Sequence, residues 1–121
     1  MIDTDIQIIH PYIRNELMEI TNLTSFKIDK KLLRKAAEKA LEVAGNKKLK
    51  GISLVLIDKK KISQINKKYR HKNGSTDVLS FEKLNEIFIC PEVIKIQAKN
   101  LKVSFKSELM RVLVHGILHL A

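Results

Sequence analysis

The chain has 121 residues, 45% of them hydrophobic and 30% charged, with a net charge of +10 and one cysteine, Cys90. That length predicts a single domain over residues 1–121 with a modest core, and one cysteine rules out an internal disulfide scaffold. No apolar run reaches the ~18 residues of a bilayer span and no signal-peptide pattern opens the chain, so a cytoplasmic protein without membrane association is expected.

In chain order, "DIQII" (residues 5–9) reads as a short strand ended by the His10-Pro11 step. Residues 12–20 read as a short helix with Ile13, Leu17 and Ile20 on one side. Asp29 is a good N-cap for a helix through Ala44, in which Leu33, Ala36, Ala37, Ala40 and Leu41 recur at helical spacing. Gly45-Asn46 ends it. "GISLVLID" (51–58) is a strand apolar enough to suggest burial on both faces. Asp58 then caps a short helix with Ile62 and Ile65 inward and lysines outward. "NGST" (73–76) signals a turn before strand "DVLSF" (77–81), and strand "EIFIC" (86–90) follows closely. Cys90 reads as a small buried hydrophobe. Pro91 suits the first turn of a helix to about Leu101, and Ser107 is a candidate cap for the last helix. Helices and strands alternate early, then two strands arrive together. The pattern predicts an α/β (α+β) domain, a mixed and mostly four-stranded sheet packed against several helices.

Segment 59–72, "KKKISQINKKYRHK", carries seven basic residues and no acidic one. Such a stretch attracts a phosphate backbone with strongly salt-dependent affinity, and Lys67, Lys68, Arg70 and Lys72 are its candidate RNA-binding residues. Lysine also outnumbers arginine 19 to 4, so a solvated lysine-rich surface is the competing explanation of the charge.

The last helix carries a broad apolar stripe of Leu109, Val112, Leu113, Gly116, Ile117 and Leu120. Arg111, His115 and His119 fall on one line at i, i+4 steps. Two imidazoles so spaced can share a Zn²⁺, although catalytic zinc normally has three protein ligands and a water. The metalloprotease pattern H-E-x-x-H is excluded, because Gly116 stands where its glutamate would be. Pattern alone therefore leaves two readings open, a metal pair or two packed histidines. Gly116, costly inside a helix, implies close approach of another element or room beside a ligand.

"YRHKNGSTDVLSF" (69–81), "EIFIC" and "ELMRVLVHGILHLA" (108–121) together resemble the YbeY family of metal-dependent endoribonucleases, the ribosomal RNA maturation factors. The family pattern runs Tyr-Arg-Gly-x-x-x-Pro-Thr-Asp-Val-Leu-Ser-Phe, then Gly-Asp-Ile-x-Ile, then His-Gly-x-Leu-His-Leu-x-Gly-Tyr-Asp-His. The resemblance covers residues 50–121 and implies a zinc held by three histidines, with His115 and His119 matching the first two. The third would fall at position 125, so a chain of these 121 residues is expected to lack the end of the closing motif. The family arginine implicated in RNA cleavage corresponds to Arg70. His71, Ser75 and Asn85-Glu86 depart from the family's Gly, Pro and Gly-Asp. The resemblance implies a single-strand-specific endoribonuclease acting on ribosomal RNA and the ribosome, in maturation and quality control. Bound zinc would polarise a phosphoryl oxygen and lower the pKa of its water toward ~7. Arg70 would grip the phosphate and the lysines would guide the strand. The alternative is a non-catalytic RNA- or ribosome-binding domain that has lost its metal centre.

Overall fold

The computed structural model describes residues 18–45 and 51–120. The strand expected over 5–9 lies outside these residues. Strand β2 (Ile52–Leu56) is flanked on both sides by parallel neighbours, β1 (Met18–Asn22) and β4 (Glu86–Ile89). Met18 pairs with Ile52 on one side, and Leu54 with Ile87 on the other. Strand β3 (Val78–Phe81) runs antiparallel to β4 at the edge, giving the order β1-β2-β4-β3. Four helices complete the described fold: α1 (Lys30–Ala44), α2 (Lys59–Arg70), α3 (Pro91–Leu101) and α4 (Phe105–Leu120). This is the mixed four-stranded sheet with covering helices that the sequence predicts.

The two faces of the sheet are covered unequally. Ile52, Leu54 and Leu56 of β2 and Ile87 and Ile89 of β4 meet α1 and α4 in the main core, with Ile94 of α3. On the other face, Val55, Leu79, Phe81 and Phe88 pack with Ile62 and Ile65 of α2. Both faces of β2 are thus covered, but Ser53 and Val55 remain partly exposed because α2 alone shelters their side.

The caps explain the helix limits. Asp29 accepts from the Leu32 N–H at 3.2 Å, and Gly45 closes α1 in the left-handed region with φ 74°. Asp58 accepts from the Lys61 N–H at 2.8 Å, and Pro91 occupies the first turn of α3. Cys90 is fully buried, which pushes its thiol pKa up.

Two expectations are corrected. Residues 18–20, read as the end of a helix, belong to β1: Met18 and Ile20 are buried with Glu19 exposed between them, a period of two. Residues 12–17 of that expected helix lie outside the described residues, and for 18–20 the pairing with β2 decides the outcome. The cap of α4 is Ser104 rather than Ser107, since Ser104 Oγ accepts from the Ser107 N–H at 3.0 Å.

Gly116 marks where α4 lies closest to the sheet. A Cβ there would stand 3.2 Å from Val78 Cγ2 and 3.3 Å from Ile87 Cγ2. The Ser80 hydroxyl donates to the Gly116 carbonyl at 3.2 Å, pinning β3 to the helix. The space beside this glycine is filled by side chains of β3 and β4, so its lack of a Cβ serves close packing of the helix on the sheet.

Candidate active site

That contact sets the histidine end of α4 beside β3. Between them opens a cleft of about 400 Å³ lined by Arg70, Asp77, Ser80, Arg111, His115 and His119, among others. Its size suits a small ligand or one phosphodiester unit. Three candidates from two separate stretches of sequence, Arg70, His115 and His119, thus share one cavity.

The two imidazoles are exposed, with their Nε2 atoms 3.1 Å apart and rings nearly perpendicular at 80°. Two nitrogens bound tetrahedrally to zinc at ~2.0–2.1 Å stand about 3.3 Å apart. The observed donor pair therefore fits a shared metal ion after a small adjustment. Among the described residues, no group of three His, Cys, Asp or Glu side chains is placed to hold a metal. His71 caps α2 with φ 56° and is not among the residues that line this cleft.

Arg70 is the last residue of α2, and its guanidinium is held before any ligand arrives. Its Nη2 donates to the Ser80 carbonyl, and its Cζ lies 5.1 Å from the Phe81 ring centroid. Asn66 fixes the following loop, donating from Nδ2 to the Gly74 carbonyl at 3.0 Å. Two departures from the family's glycines, His71 and Asn85, both adopt left-handed backbone, with φ of 56° and 51°. The turns have kept the conformation that favours glycine, and Asn tolerates it better than most residues. The basic candidates Lys67, Lys68 and Lys72 are exposed, but none of them lines this cleft.

A polar network behind the cleft escaped the sequence reading. Glu108 is only 2% exposed and takes a two-pronged ion pair from Arg111, at 2.9 Å to Nε and 2.7 Å to Nη2. Gln97 Nε2 bridges Glu108 Oε2 and Asp77 Oδ2, each at 3.2 Å. Asp77 is thereby tied to Gln97 and through it to Glu108. The signal that could have found it was position: Glu108 lies four and eight residues before Val112 and Gly116, on the buried face of α4.

The Arg111 hydrogen bonds hold the Glu108 carboxyl below its ordinary value of 4.5, outweighing burial, which acts in the opposite direction. A carboxyl lowered on folding stabilises the fold above its unfolded pKa, and that contribution is lost as pH falls through the folded value. Arg111→Ala should therefore cost about 2–3 kcal/mol at pH 7, less than the ~3–5 kcal/mol of a fully buried pair because Arg111 is 59% exposed. Urea unfolding should show the gap narrowing as Glu108 protonates in acid. A gap that persists unchanged in acid would assign the effect to packing.

Comparison with known proteins bears on the family and the fold. The family model "Endoribonuclease YbeY" matches residues 17–121. Proteins named endoribonuclease YbeY from Thermotoga neapolitana and Bdellovibrio bacteriovorus are 38% and 45% identical over 98 and 74 residues. These matches cover 76% and 57% of this chain, and it spans only 65% and 49% of those relatives' length. A Sulfurihydrogenibium protein of the same name is 34% identical over 88% of this chain and 76% of its own. The solution structure of TM1509 from Thermotoga maritima superposes with a TM-score of 0.53 at 28% identity, covering 84% of this chain and 71% of that one. With a family match over residues 17–121 and a relative 34% identical over 88% of this chain, the chain belongs to the YbeY family.

Proposed function

We propose that this chain carries the active face of a zinc-dependent endoribonuclease that cuts single-stranded RNA in the cytoplasm. Its substrate on this reading is ribosomal RNA, engaged at the ribosome during maturation and quality control. The observation that carries the proposal is the convergence of Arg70, His115 and His119 on one cleft. His115 and His119 would hold the ion through their Nε2 atoms. Zinc bound there would supply Lewis acidity toward a phosphodiester and a water of lowered pKa. Every other role falls to the chain's own side chains.

Arg70 gives one N–H to the Ser80 carbonyl among the described residues, and its planar fork suits two phosphate oxygens at once. Arg111 presents a second guanidinium to the cleft, braced by Glu108. The two cations would hold the scissile phosphate and offset charge that develops on it. The exposed lysines of α2 would steer the strand without reading its bases. No helix of the described residues is long and apolar enough to cross a membrane.

Zinc titration tests the metal site directly. The purified chain should bind one ion, weakly, because two imidazoles are fewer than a catalytic zinc prefers. The His115→Ala, His119→Ala double variant should lose that binding. Unchanged uptake by the double variant would place the ion elsewhere and overturn the assignment.

A further inference from the structure

A second cleft, about 500 Å³ in volume, lies between α2 and the sheet face that α2 only partly covers. Its walls are largely apolar and include Tyr69, Phe81, Leu84 and Phe88. Tyr69 and Leu84 are 57% and 65% exposed, an unusual state for large apolar side chains standing together. The three aromatic rings form a chain of edge contacts, Tyr69 to Phe81 at 5.8 Å and Phe81 to Phe88 at 5.9 Å.

Phe81 joins this cleft to the candidate active site. Arg70, which lines the catalytic cleft, sits over the Phe81 ring, and Phe81 lines the apolar one. Tyr69 and Arg70 are consecutive, so one helix end presents an aromatic ring to one cavity and a guanidinium to the other. Lys68 Nζ lies 5.3 Å from the Tyr69 ring centroid, placing a cation beside the apolar opening. Glu86 and Lys61 also line the cavity, while aromatic and aliphatic side chains supply most of its wall. A neutral planar group with its phosphates outside is the occupant that satisfies all of these features.

We propose that the Tyr69–Phe81–Phe88 cleft seats the base of a nucleotide neighbouring the phosphate held at Arg70, on the single-stranded RNA of the proposed function. Stacking on Tyr69 gives grip without sequence preference, because every base has a π face. The seat would fix the strand's register, so that a neighbouring phosphodiester is delivered to Arg70 and the histidines.

The test uses equilibrium binding, with metal chelated so that nothing is cut. A labelled single-stranded hexauridylate is compared with hexamers carrying one abasic position, scanned along the strand. Wild-type protein should lose about tenfold in affinity when one particular position is abasic. Tyr69→Ala should lose about as much on the intact hexamer and show no further loss with the abasic one. Tyr69→Phe should keep wild-type affinity. The slope of log affinity against log salt should be the same in all three proteins, since the substitutions leave every cation in place. RNA binding with a normal salt slope but no abasic effect at any position would overturn the base seat and leave the nuclease reading standing. A wild-type chain that binds no RNA would overturn both. The abasic scan is read on unmodified protein, so a folding defect in a variant cannot obscure it.

Discussion

Adding Gly-Tyr-Asp-His directly after Ala121 should raise zinc affinity well beyond the roughly 10–100-fold that even an outer-shell partner is worth. The chain supplies two imidazole nitrogens 3.1 Å apart, and no third ligand stands beside them among the described residues. Family resemblance puts a histidine at position 125, just past the end of α4. With it the ion would have three protein ligands and an open fourth position. Thermal stability should rise with zinc concentration in the extended chain, because a ligand at 100 times its Kd adds about 2.7 kcal/mol to the folded state. The added segment would also have apolar surface to cover, as Leu118 is 47% exposed. An extension ending Gly-Tyr-Asp-Ala separates the effects, covering the helix end without adding a ligand. Equal zinc affinity for the two extended chains would show that the metal does not use this histidine.

Local signals were legible where the chemistry of the fold is local. Asp29, Gly45, Asp58 and Pro91 act within one turn of their own helices, and each marks the limit that its residue type implies. The α4 stripe also needs no partner to be read, since burial of Leu109, Val112, Leu113, Gly116, Ile117 and Leu120 follows from its period. What depends on distant partners was not legible in the same way. The order β1-β2-β4-β3 inserts β4 between β2 and β3, and no turn residue announces that choice. Residues 18–20 carry both a helical and a strand spacing, and only the parallel pairing with β2 selects one. The candidate site divides along the same line. Arg70, His115 and His119 are picked out only because their motifs occur together, since the histidine spacing alone leaves a metal pair and two packed histidines both open. Glu108 was missed because its burial is tolerable only with Arg111 and Gln97 around it. The aromatic cleft was missed because Tyr69, Phe81 and Phe88 come from three different elements.

Arg70→Ala, made in the extended chain, should slow single-turnover cleavage of single-stranded RNA by about 10²–10³-fold, the cost of removing one preorganised donor to developing charge. The guanidinium is already aimed, held by the Ser80 carbonyl and the Phe81 ring, so little reorganisation is needed as charge builds on the phosphate. Affinity for uncut RNA should fall by less than about tenfold, because the exposed lysines of α2 still meet the backbone. Arg70→Lys should rescue poorly. An ammonium keeps the charge but lacks the planar fork and cannot reproduce both the Ser80 hydrogen bond and a two-oxygen grip. Neutralising Lys59, Lys60 and Lys61 to glutamine should have the opposite profile. Affinity should drop and the salt slope should shrink by about 0.7 for each phosphate that no longer meets a cation, while the rate at saturating RNA stays near wild type. These two profiles separate a group that acts in the transition state from groups that only gather the substrate. If saturating RNA restores the Arg70→Ala rate to the wild-type value, Arg70 binds the strand without assisting its cleavage, and the catalytic assignment is wrong.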